Sequence, residues 1–443
     1  MGGVRRLATY CCALIFVWQA TAQDRAHDGK IVAFGNLHAH SRLSDDVRKN
    51  LPNMWPADGF AAADAAGLDF LAITDHHQAI DSPRRLALEK REYKEKLYEA
   101  AMKYNARRRG EFVAIPGLEW GNTATGNHVN LIGARALPPD TIRDGDYDKL
   151  YDWARTHCEF VQFNHPDSWA GQSRRNLRVG NFGIALYADP RAFVNHADPV
   201  AKTISVISSV KGGHISGPHR HSKEKTHRET SLKNFGHFLD YLNMGFRLSP
   251  AANQDTHGNN WGTVTAARTA VWTDELTYPK LMNAFRANRV YATEDDELAV
   301  VFQVRHGNRT YWMGESVPLG PRLIGHVMVR VKLWQLAGTD GDPTDEGPYT
   351  VKVWSDRDGA GNGSRASVRS EFRNIAAGTL TAIPLEVVRG EYVFLEVVEE
   401  GGKDNPVGDG ADEVINETGA AGSDKKRDNL NDTAWTSPIW FVE

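Results

Sequence analysis

The sequence predicts an α/β protein in which a barrel of strands and helices precedes a smaller β-rich region. From Ile31 to about Ala292, short apolar strand-like segments alternate with helix-like segments, which is typical of parallel strands joined by crossovers. After about Ala299 the helical periodicity disappears, and turns rich in glycine and aspartate separate short alternating strands. That texture predicts a small β-sandwich. At 443 residues the chain is long enough for both domains.

The periodicity predicts individual elements along the chain. The predicted strands of the first region are 31–37, 68–74, 112–118, 129–132, 160–163, 205–208, 250–254 and 269–272. The predicted helices are 59–66, 83–109, 147–157, 231–244 and 278–288. The predicted strands of the second region are 300–305, 327–334, 349–354, 382–388, 392–398 and 438–442. Domain boundaries follow at 28–298 and 299–443, with a loop-rich insertion at 169–231.

The first 22 residues have the pattern of a cleavable signal peptide. Arg5 and Arg6 precede an apolar stretch over 7–18, and a small-x-small motif ends at Ala22. A retained anchor is the alternative, but about 20 apolar residues are normally needed to span a bilayer. We therefore expect cleavage after Ala22 and a secreted or periplasmic protein, with no other membrane segment.

Charge and cysteine content exclude some classes of protein. The formal net charge of -4 argues against a nucleic-acid-binding surface, which is normally basic. Cys158 would be the one cysteine left after cleavage, so the mature chain has no internal disulfide. The oligomeric state is left open by the sequence.

Ionisable side chains stand beside the predicted strands of the first region. His38 and His40 come at the end of an apolar run, and alternate residues of a strand point the same way. Neutral imidazole is the commonest protein metal ligand. Further candidates stand beside strand-like segments along the chain: Asp45, His76, Glu119, His128, His165, Asp255 and His257. Their repetition predicts a multinuclear site for divalent ions, with Zn, Mn and Fe equally compatible.

These motifs, in this order, resemble those of the polymerase and histidinol phosphatase (PHP) superfamily of metal-dependent phosphoesterases. The order is His-x-His, Thr-Asp-His, a glutamate after a strand, His, His-Pro and Asp-x-His, and it runs from Ile31 to Ala292. The opening Gly-Asn-Leu-His-Ala-His and the tail ending at Trp440 look most like the secreted branch that includes carbaryl-hydrolase-like proteins. The resemblance implies a distorted seven-stranded (β/α) barrel.

The resemblance also implies a role for each ligand. A first ion would be held by His38, His40, Glu119 and Asp255. Glu119 would bridge to a second ion held by His128 and His165. Asp45, His76 and His257 would hold a third. The attacking water would bridge the metals, held by Glu119, Asp255 and His257. Asn36 stands where many members have aspartate.

Other residues are candidates for supporting roles. Asp75 is expected to orient His76, and His77 to protonate the leaving group or contact the substrate. Candidate substrate contacts, as possible anion clamps, are Arg174, Arg175, Lys211, His219 and Arg268. The histidine-rich loop 211–228 is either a cover over the site or a solvated insertion. The run 356–362 is a turn or, less in keeping with its spacing, a calcium loop.

Three functions are compatible with the sequence. The first is a phosphoesterase that acts on a mono- or diester, with a small anionic ester as substrate. The second uses the same metals on a carboxylic ester, amide or carbamate, as the carbaryl-hydrolase-like branch suggests. The third is a non-catalytic protein in which metals only stabilise the first domain, while the β domain binds a ligand.

Overall fold

The computed structural model describes residues 25–77, 89–121, 128–143, 146–164, 206–209, 238–239, 242, 247–263, 267–336, 348–357, 366–399 and 433–443. Within these ranges, no helix is long and apolar enough to cross a membrane. The predicted signal peptide, the histidine-rich loop, positions 358–362 and nearly all of the 169–231 insertion lie outside the described residues.

The first region alternates strands with helices, as predicted. Its strands are β1 Ala26–His27, β2 Lys30–Asn36, β3 Phe70–His77, β4 Val113–Trp120, β5 Val129–Ile132, β6 Phe160–Phe163, β7 Val206–Ser209, β8 Leu248–Ala251, β9 Arg268–Thr273 and β10 Val290–Thr293. Its helices are α1 Asp45–Asn50, α2 Pro56–Ala65, α3 Glu99–Arg107, α4 Tyr147–His157 and α5 Tyr278–Arg286, and a π-helical turn Tyr93–Tyr98 precedes α3. The bounds predicted for β5, β6 and α4 are confirmed.

Local sequence explains where helices begin. Pro56 is the first residue of α2, where its missing N–H costs no hydrogen bond. The Asp58 carboxylate accepts a hydrogen bond from the Trp55 backbone N–H at 2.9 Å and so closes the first turn. Thr277 begins α5 in an extended conformation, and a proline again stands in its first turn.

The first-region strands form one large sheet in the order β10-β9-β2-β3-β4-β5-β6-β7-β8. The pairs β2–β3, β3–β4, β6–β7 and β7–β8 are parallel, as predicted. The prediction is wrong for β5, which is antiparallel to β4 and β6, and for β9, which is antiparallel to β2. Eight residues link β4 to β5, whereas a parallel crossover needs about a dozen or more. As a result, the first residue of β5 lies beside the last residues of β4 and β6, at the same end of the strands.

The sheet bends so that β8 approaches β9. The Thr269 hydroxyl donates to the Ala252 carbonyl at 2.8 Å, and the Ser249 hydroxyl donates to Asn288 Oδ1 at 2.9 Å. Backbone pairing between β8 and β9 is absent from the described residues. The structure is therefore a mixed α/β fold with a large sheet, and closure into a barrel stays a prediction.

The second region consists of strands, with four more than the sequence predicted. They are β11 Leu298–His306, β12 Arg309–Trp312, β13 Ser316–Pro318, β14 Ile324–Gln335, β15 Tyr349–Ser355, β16 Ser367–Ile375, β17 Thr381–Val388, β18 Tyr392–Glu399, β19 Thr433–Thr436 and β20 Ile439–Val442. Strands β12, β11, β14 and β17 form a separate antiparallel sheet in that order.

The remaining second-region strands continue the large sheet. Strand β19 pairs with β10, and β18, β20 and β13 follow outward from it. One apolar core joins the two sheets, and it includes Val32, Phe34 and Trp272 from the first region. The two predicted domains thus share hydrogen bonds and a core, and a self-contained β-sandwich stays a prediction.

Candidate metal centre

Seven of the nine predicted ligands meet at one end of the strands of the large sheet. His76 lies one residue before the end of β3 and stands beside Glu119, its register partner on β4. His128 directly precedes β5, and the reversed direction of β5 brings this histidine to the same end. Across the sheet, a bridge between Ala39 and Thr256 sets the segment after β2 against the segment after β8.

This bridge organises four ligands. His38 and His40 flank Ala39, and Asp255 and His257 flank Thr256, so strand alternation turns each pair to one side. The His40 backbone N–H donates to the Thr256 carbonyl at 2.8 Å. Asp255 has a positive φ of 48°, a conformation that aspartate tolerates better than most residues.

A deeply buried set consists of His38, His40, Glu119 and Asp255, all at most 6% exposed. Asp255 Oδ1 lies 3.0 Å from His38 Nε2 and 2.9 Å from His40 Nε2. Glu119 Oε1 lies 3.2 Å from His38 Nε2, and its Oε2 lies 3.4 Å from His40 Nε2. The two Nε2 atoms are 3.3 Å apart. Four donor atoms therefore surround one point away from water.

Two further sets overlap this one on its more open side. His76 Nδ1 lies 2.9 Å from Glu119 Oε2, and His128 Nδ1 lies 3.0 Å from Glu119 Oε1. His40, His76 and His257 form the third set. His257 Nδ1 lies 2.8 Å from the Asp255 carbonyl, which accepts its proton and leaves Nε2 as the binding nitrogen. The His76 and His257 side chains are 25% and 27% exposed, so solvent reaches this side.

Asp46, and not the predicted Asp45, completes the open side. Asp46 Oδ2 lies 3.3 Å from His76 Nε2 and 3.2 Å from His257 Nε2. The Asp45 carboxylate is 65% exposed and lies 3.8 Å from Arg48. Both aspartates belong to the first turn of α1, where successive side chains point about 100° apart. Spacing from His40 could not distinguish them, because it does not specify where the helix begins.

The pKa values of the two buried imidazoles His38 and His40 shift in opposite directions. Burial lowers the pKa of His38, but the carboxylates of Asp255 and Glu119 outweigh it and raise the pKa to about 10. Burial and the neighbouring imidazole charges lower the pKa of His40 to about 3. The carboxylates therefore dominate the pKa of His38, whereas burial and the neighbouring imidazoles dominate that of His40.

The carboxylates remain ionised. Burial favours their neutral form, but the surrounding imidazoles hold the pKa of Glu119 and of Asp255 well below the ordinary range. Hydrogen bonds from His257 and His76 likewise outweigh burial and lower the pKa of Asp46. Anionic oxygens and imidazole nitrogens together make the donor set that Zn, Mn and Fe prefer. The residues therefore fit divalent transition metals.

Asp75 contacts two serines, not the ring of His76 as predicted. Its Oδ1 accepts from the Ser41 N–H at 2.6 Å, the Ser44 N–H at 3.1 Å and the Ser44 hydroxyl at 2.9 Å. Its Oδ2 accepts from the Ser41 hydroxyl at 2.7 Å. The reason is strand alternation, which turns Asp75 to the face opposite His76.

His77 is turned away from the cluster by the same alternation. Its Nδ1 lies 3.7 Å from Glu89 Oε2, and its side chain is 7% exposed. A buried ring on the far face of β3 is not placed to protonate a leaving group at the metal ligands. The expected role of His77 is therefore not supported by its position.

Arg268 is likewise placed as a structural contact. It is 5% exposed, and its guanidinium donates to the Gly262 and Ala267 carbonyls and to Asp296 Oδ2. The predicted ligand His165 and the predicted substrate contacts Arg174, Arg175, Lys211 and His219 lie outside the described residues.

A row of buried amides, which the sequence prediction missed, supports Glu119. Asn164 Nδ2 donates to Glu119 Oε1 and to Asn130 Oδ1, both at 2.7 Å. Gln162 Nε2 donates to Asn164 Oδ1 at 2.8 Å, and Asn253 Nδ2 donates to Gln162 Oε1 at 3.1 Å. The sequence signal for this row is the one amide residue within each of the apolar strands β5 and β6, which is Asn130 in β5 and Gln162 in β6.

Several solved structures are similar to this chain. No family model matches the chain, and no curated protein matches it. One of these solved structures is that of a two-domain protein from Bacteroides vulgatus ATCC 8482 that contains a predicted PHP-like metal-dependent phosphoesterase. It is 14% identical, the match covers 83% of this chain and 91% of that chain, and the TM-score is 0.38. A TM-score this low carries no inference about the activity of this chain.

Proposed function

We propose that this protein is a metal-dependent hydrolase with two or three divalent transition ions at one end of the strands of the large sheet. One observation carries the proposal: five histidines and two carboxylates near strand ends, with Asp46 from the first turn of α1, bring their side-chain nitrogens and oxygens close together. Burying so many ionisable groups is costly unless bound cations compensate the carboxylates and occupy the nitrogen lone pairs.

The ligand sets suggest how the ions would be distributed. His38, His40, Glu119 and Asp255 would hold one ion in the buried part. Glu119 would also contribute to a second ion, together with His128 and, by the family resemblance, His165. Asp46, His76 and His257 would hold a third at the open side.

We propose phosphoester hydrolysis because the motif order resembles that of the PHP phosphoesterases. Bound ions would supply an acidified water and would neutralise negative charge that develops on the phosphoryl oxygens. The protein would supply orientation, because each ligand is held by strand register or by a hydrogen bond. Carboxylic ester, amide or carbamate hydrolysis remains the alternative for the same donor set.

The serines closest to the cluster are not placed to act as nucleophiles, which favours water as the attacking group. The hydroxyls of Ser41 and Ser44 donate to the buried Asp75 carboxylate, and both serines are fully buried, so neither hydroxyl is accessible to a substrate. Cys158 is a poor candidate as well, because burial raises the pKa of its thiol. Cys158 also lies before the start of β6, whereas Asn164 follows the end of that strand, so the thiol is at the end of β6 away from the cluster. We therefore expect a single displacement without a covalent enzyme intermediate.

Elemental analysis after dialysis in metal-free buffer is the first test. We expect two or three equivalents of Zn, Mn or Fe in the wild type, and loss of at least one in a His38→Ala/His40→Ala variant. Reproducible absence of metal from the wild type, unchanged after metal is added back, would refute the proposal.

A substrate panel then separates the reactions. The panel contains p-nitrophenyl phosphate, bis(p-nitrophenyl) phosphate, p-nitrophenyl carboxylic esters and an aryl carbamate. Turnover of a phosphate that depends on added metal supports the phosphoesterase. Turnover confined to esters or the carbamate supports the alternative. If metal raises the melting temperature but nothing is turned over, a metal-stabilised scaffold is favoured.

We also propose a location, a substrate class and a fold for the enzyme. The signal-peptide pattern supports secretion or a periplasmic location, and the exposed side of the cluster is suited to a small anionic ester. The approach of β8 to β9 supports a distorted barrel.

A further inference from the structure

The Ser44 hydroxyl contacts two ligand segments and a buried carboxylate at once. Its Oγ lies 3.0 Å from His40 Nδ1, 2.9 Å from Asp75 Oδ1 and 2.9 Å from the backbone nitrogen of His76. Ser44 is fully buried. It is also the residue that precedes α1, where a serine hydroxyl ordinarily accepts from the helix backbone. Here it makes no such bond, so its contacts serve the metal centre.

Hydrogen-bond capacity determines the direction of each contact. A hydroxyl has one proton to donate and two lone pairs that accept. The backbone N–H of His76 can only donate, so it uses one lone pair of Ser44 Oγ. An ionised Asp75 can only accept, so it takes the hydroxyl proton. The remaining lone pair faces His40 Nδ1, which must then carry the ring proton.

This assignment sets the tautomer of His40. With the proton on Nδ1, the lone pair is on Nε2, the atom that lies 2.9 Å from Asp255 Oδ1 and 3.3 Å from His38 Nε2. That is the nitrogen directed at the buried ligand set. If the hydroxyl instead donated to Nδ1, the proton would sit on Nε2 and block metal binding.

We propose that Ser44 and Asp75 are a positioning pair that selects the metal-binding tautomer of His40. The arrangement corresponds to the carboxylate–histidine–metal contacts of other metalloproteins, with a serine hydroxyl placed between carboxylate and imidazole. It rests on the proposed metal centre. It also gives Asp75 a role on His40 in place of the expected role on His76.

Ser41 offers a matched control for Ser44. It is equally buried, and its hydroxyl also donates to Asp75, but its other described contact is the Leu43 backbone N–H. Ser44→Ala and Ser41→Ala therefore remove the same chemical group and an Asp75 hydrogen bond each. Ser44→Ala, unlike Ser41→Ala, also removes the contact with His40 Nδ1 and the acceptor of the His76 backbone N–H, so the state of the His40 ring and not affinity alone identifies an effect on the tautomer.

The test measures Zn²⁺ affinity by competition with a chelator, together with the ¹⁵N chemical shifts of labelled histidine rings. We expect Ser44→Ala to weaken Zn²⁺ binding about 10- to 100-fold. It should also lose the shift assigned to His40 as an Nδ1-protonated, Nε2-bound ring, while His257, which donates from Nδ1 to the Asp255 carbonyl, keeps its own. Ser41→Ala should keep both the affinity and that shift. Ser44→Thr, which retains the hydroxyl, should recover much of the affinity.

Two results would overturn the inference. One is wild-type affinity and an unchanged spectrum in Ser44→Ala. The other is equal loss in Ser41→Ala and Ser44→Ala, which would indicate general support of the loop. The wild-type spectrum tests the tautomer even if a variant fails to fold. If the wild type binds no Zn²⁺, the proposed function itself fails, which is a distinguishable result.

Discussion

The His76 ring directs both of its nitrogens at carboxylates. Its Nδ1 faces Glu119 and its Nε2 faces Asp46, so it belongs to two of the overlapping ligand sets. A neutral imidazole has one lone pair and binds one ion. Ions in these two sets therefore compete for His76, and Asp46 favours the set at the open side.

Replacing Asp46 should weaken metal binding at the open side. Asp46→Asn removes the negative charge between His76 and His257, and we expect at least a tenfold loss of affinity for one metal equivalent. Asp45→Asn is the matched control, because Asp45 lies one position earlier and faces solvent. Metal titration of both variants checks this. Equal behaviour of the two variants would contradict the assignment of Asp46.

At the level of elements, neighbouring strands support the bridging carboxylate through amides. Asn164 follows β6, Asn130 lies on β5 and Asn253 follows β8, and Gln162 connects Asn164 to Asn253. Amides do not titrate, so this support holds Glu119 in place at every pH where the fold persists. The row therefore links strand register to ligand geometry.

Gln162→Leu should destabilise the fold and also weaken metal binding. It leaves the buried Asn164 Oδ1 and Asn253 Nδ2 without the Gln162 amide, at a cost of about 1–3 kcal/mol for each such group. Gln303→Leu, at a buried glutamine of β11 whose amide contacts Asp28 and Arg330, is the control. Urea unfolding should show a loss of stability in both variants. Only Gln162→Leu should lower metal affinity, and unchanged affinity would separate the amide row from the site.

The C-terminal strands pair with the sheet of the first region and so join the two regions. Strand β19 forms hydrogen bonds with β10, and its residues are buried. We expect a chain that ends at residue 298 to lose cooperative unfolding, because the edge of β10 and the apolar side chains of Trp272 and Tyr291 would be exposed. Calorimetry of the 25–298 and 25–443 chains checks this. An unchanged melting temperature would show that the regions fold independently.

For the whole molecule, burial is graded across the metal centre. Ligands of the inner set are at most 6% exposed, whereas Asp46 is 49% exposed. We expect a chelator to remove ions in at least two kinetic phases, the faster one from the open side. Stopped-flow release into a chromogenic chelator measures the phases. Asp46→Asn should reduce the fast phase, and a single phase in the wild type would contradict the gradient.

Metal removal should make stability sensitive to alkaline pH. Among the metal-free groups, His38 has its pKa raised to about 10 and His257 to about 9, in each case because carboxylates outweigh burial. Their unfolded pKa is near 6.5. The folded state therefore holds extra protons between pH 6.5 and 10, and stability falls as pH rises through that range.

Bound metal takes the place of those protons, so the metal-loaded protein should lack this decline. Melting temperatures from pH 7 to 10, with EDTA and with Zn²⁺, measure the difference. Parallel curves under the two conditions would count against the ligand assignment of His38 and His257.

The sequence by itself determined the α/β class, most strand positions and seven of the residues that form the candidate ligand sets. Local alternation of apolar residues specifies a strand, and an ionisable residue at its end is visible without any tertiary contact. Only the tertiary structure decided which segments meet. The phase of α1 selected Asp46 over Asp45, and strand alternation turned Asp75 toward Ser44. The reversal of β5 and the pairing of β19 with β10 depend on contacts between distant segments, which local periodicity does not encode.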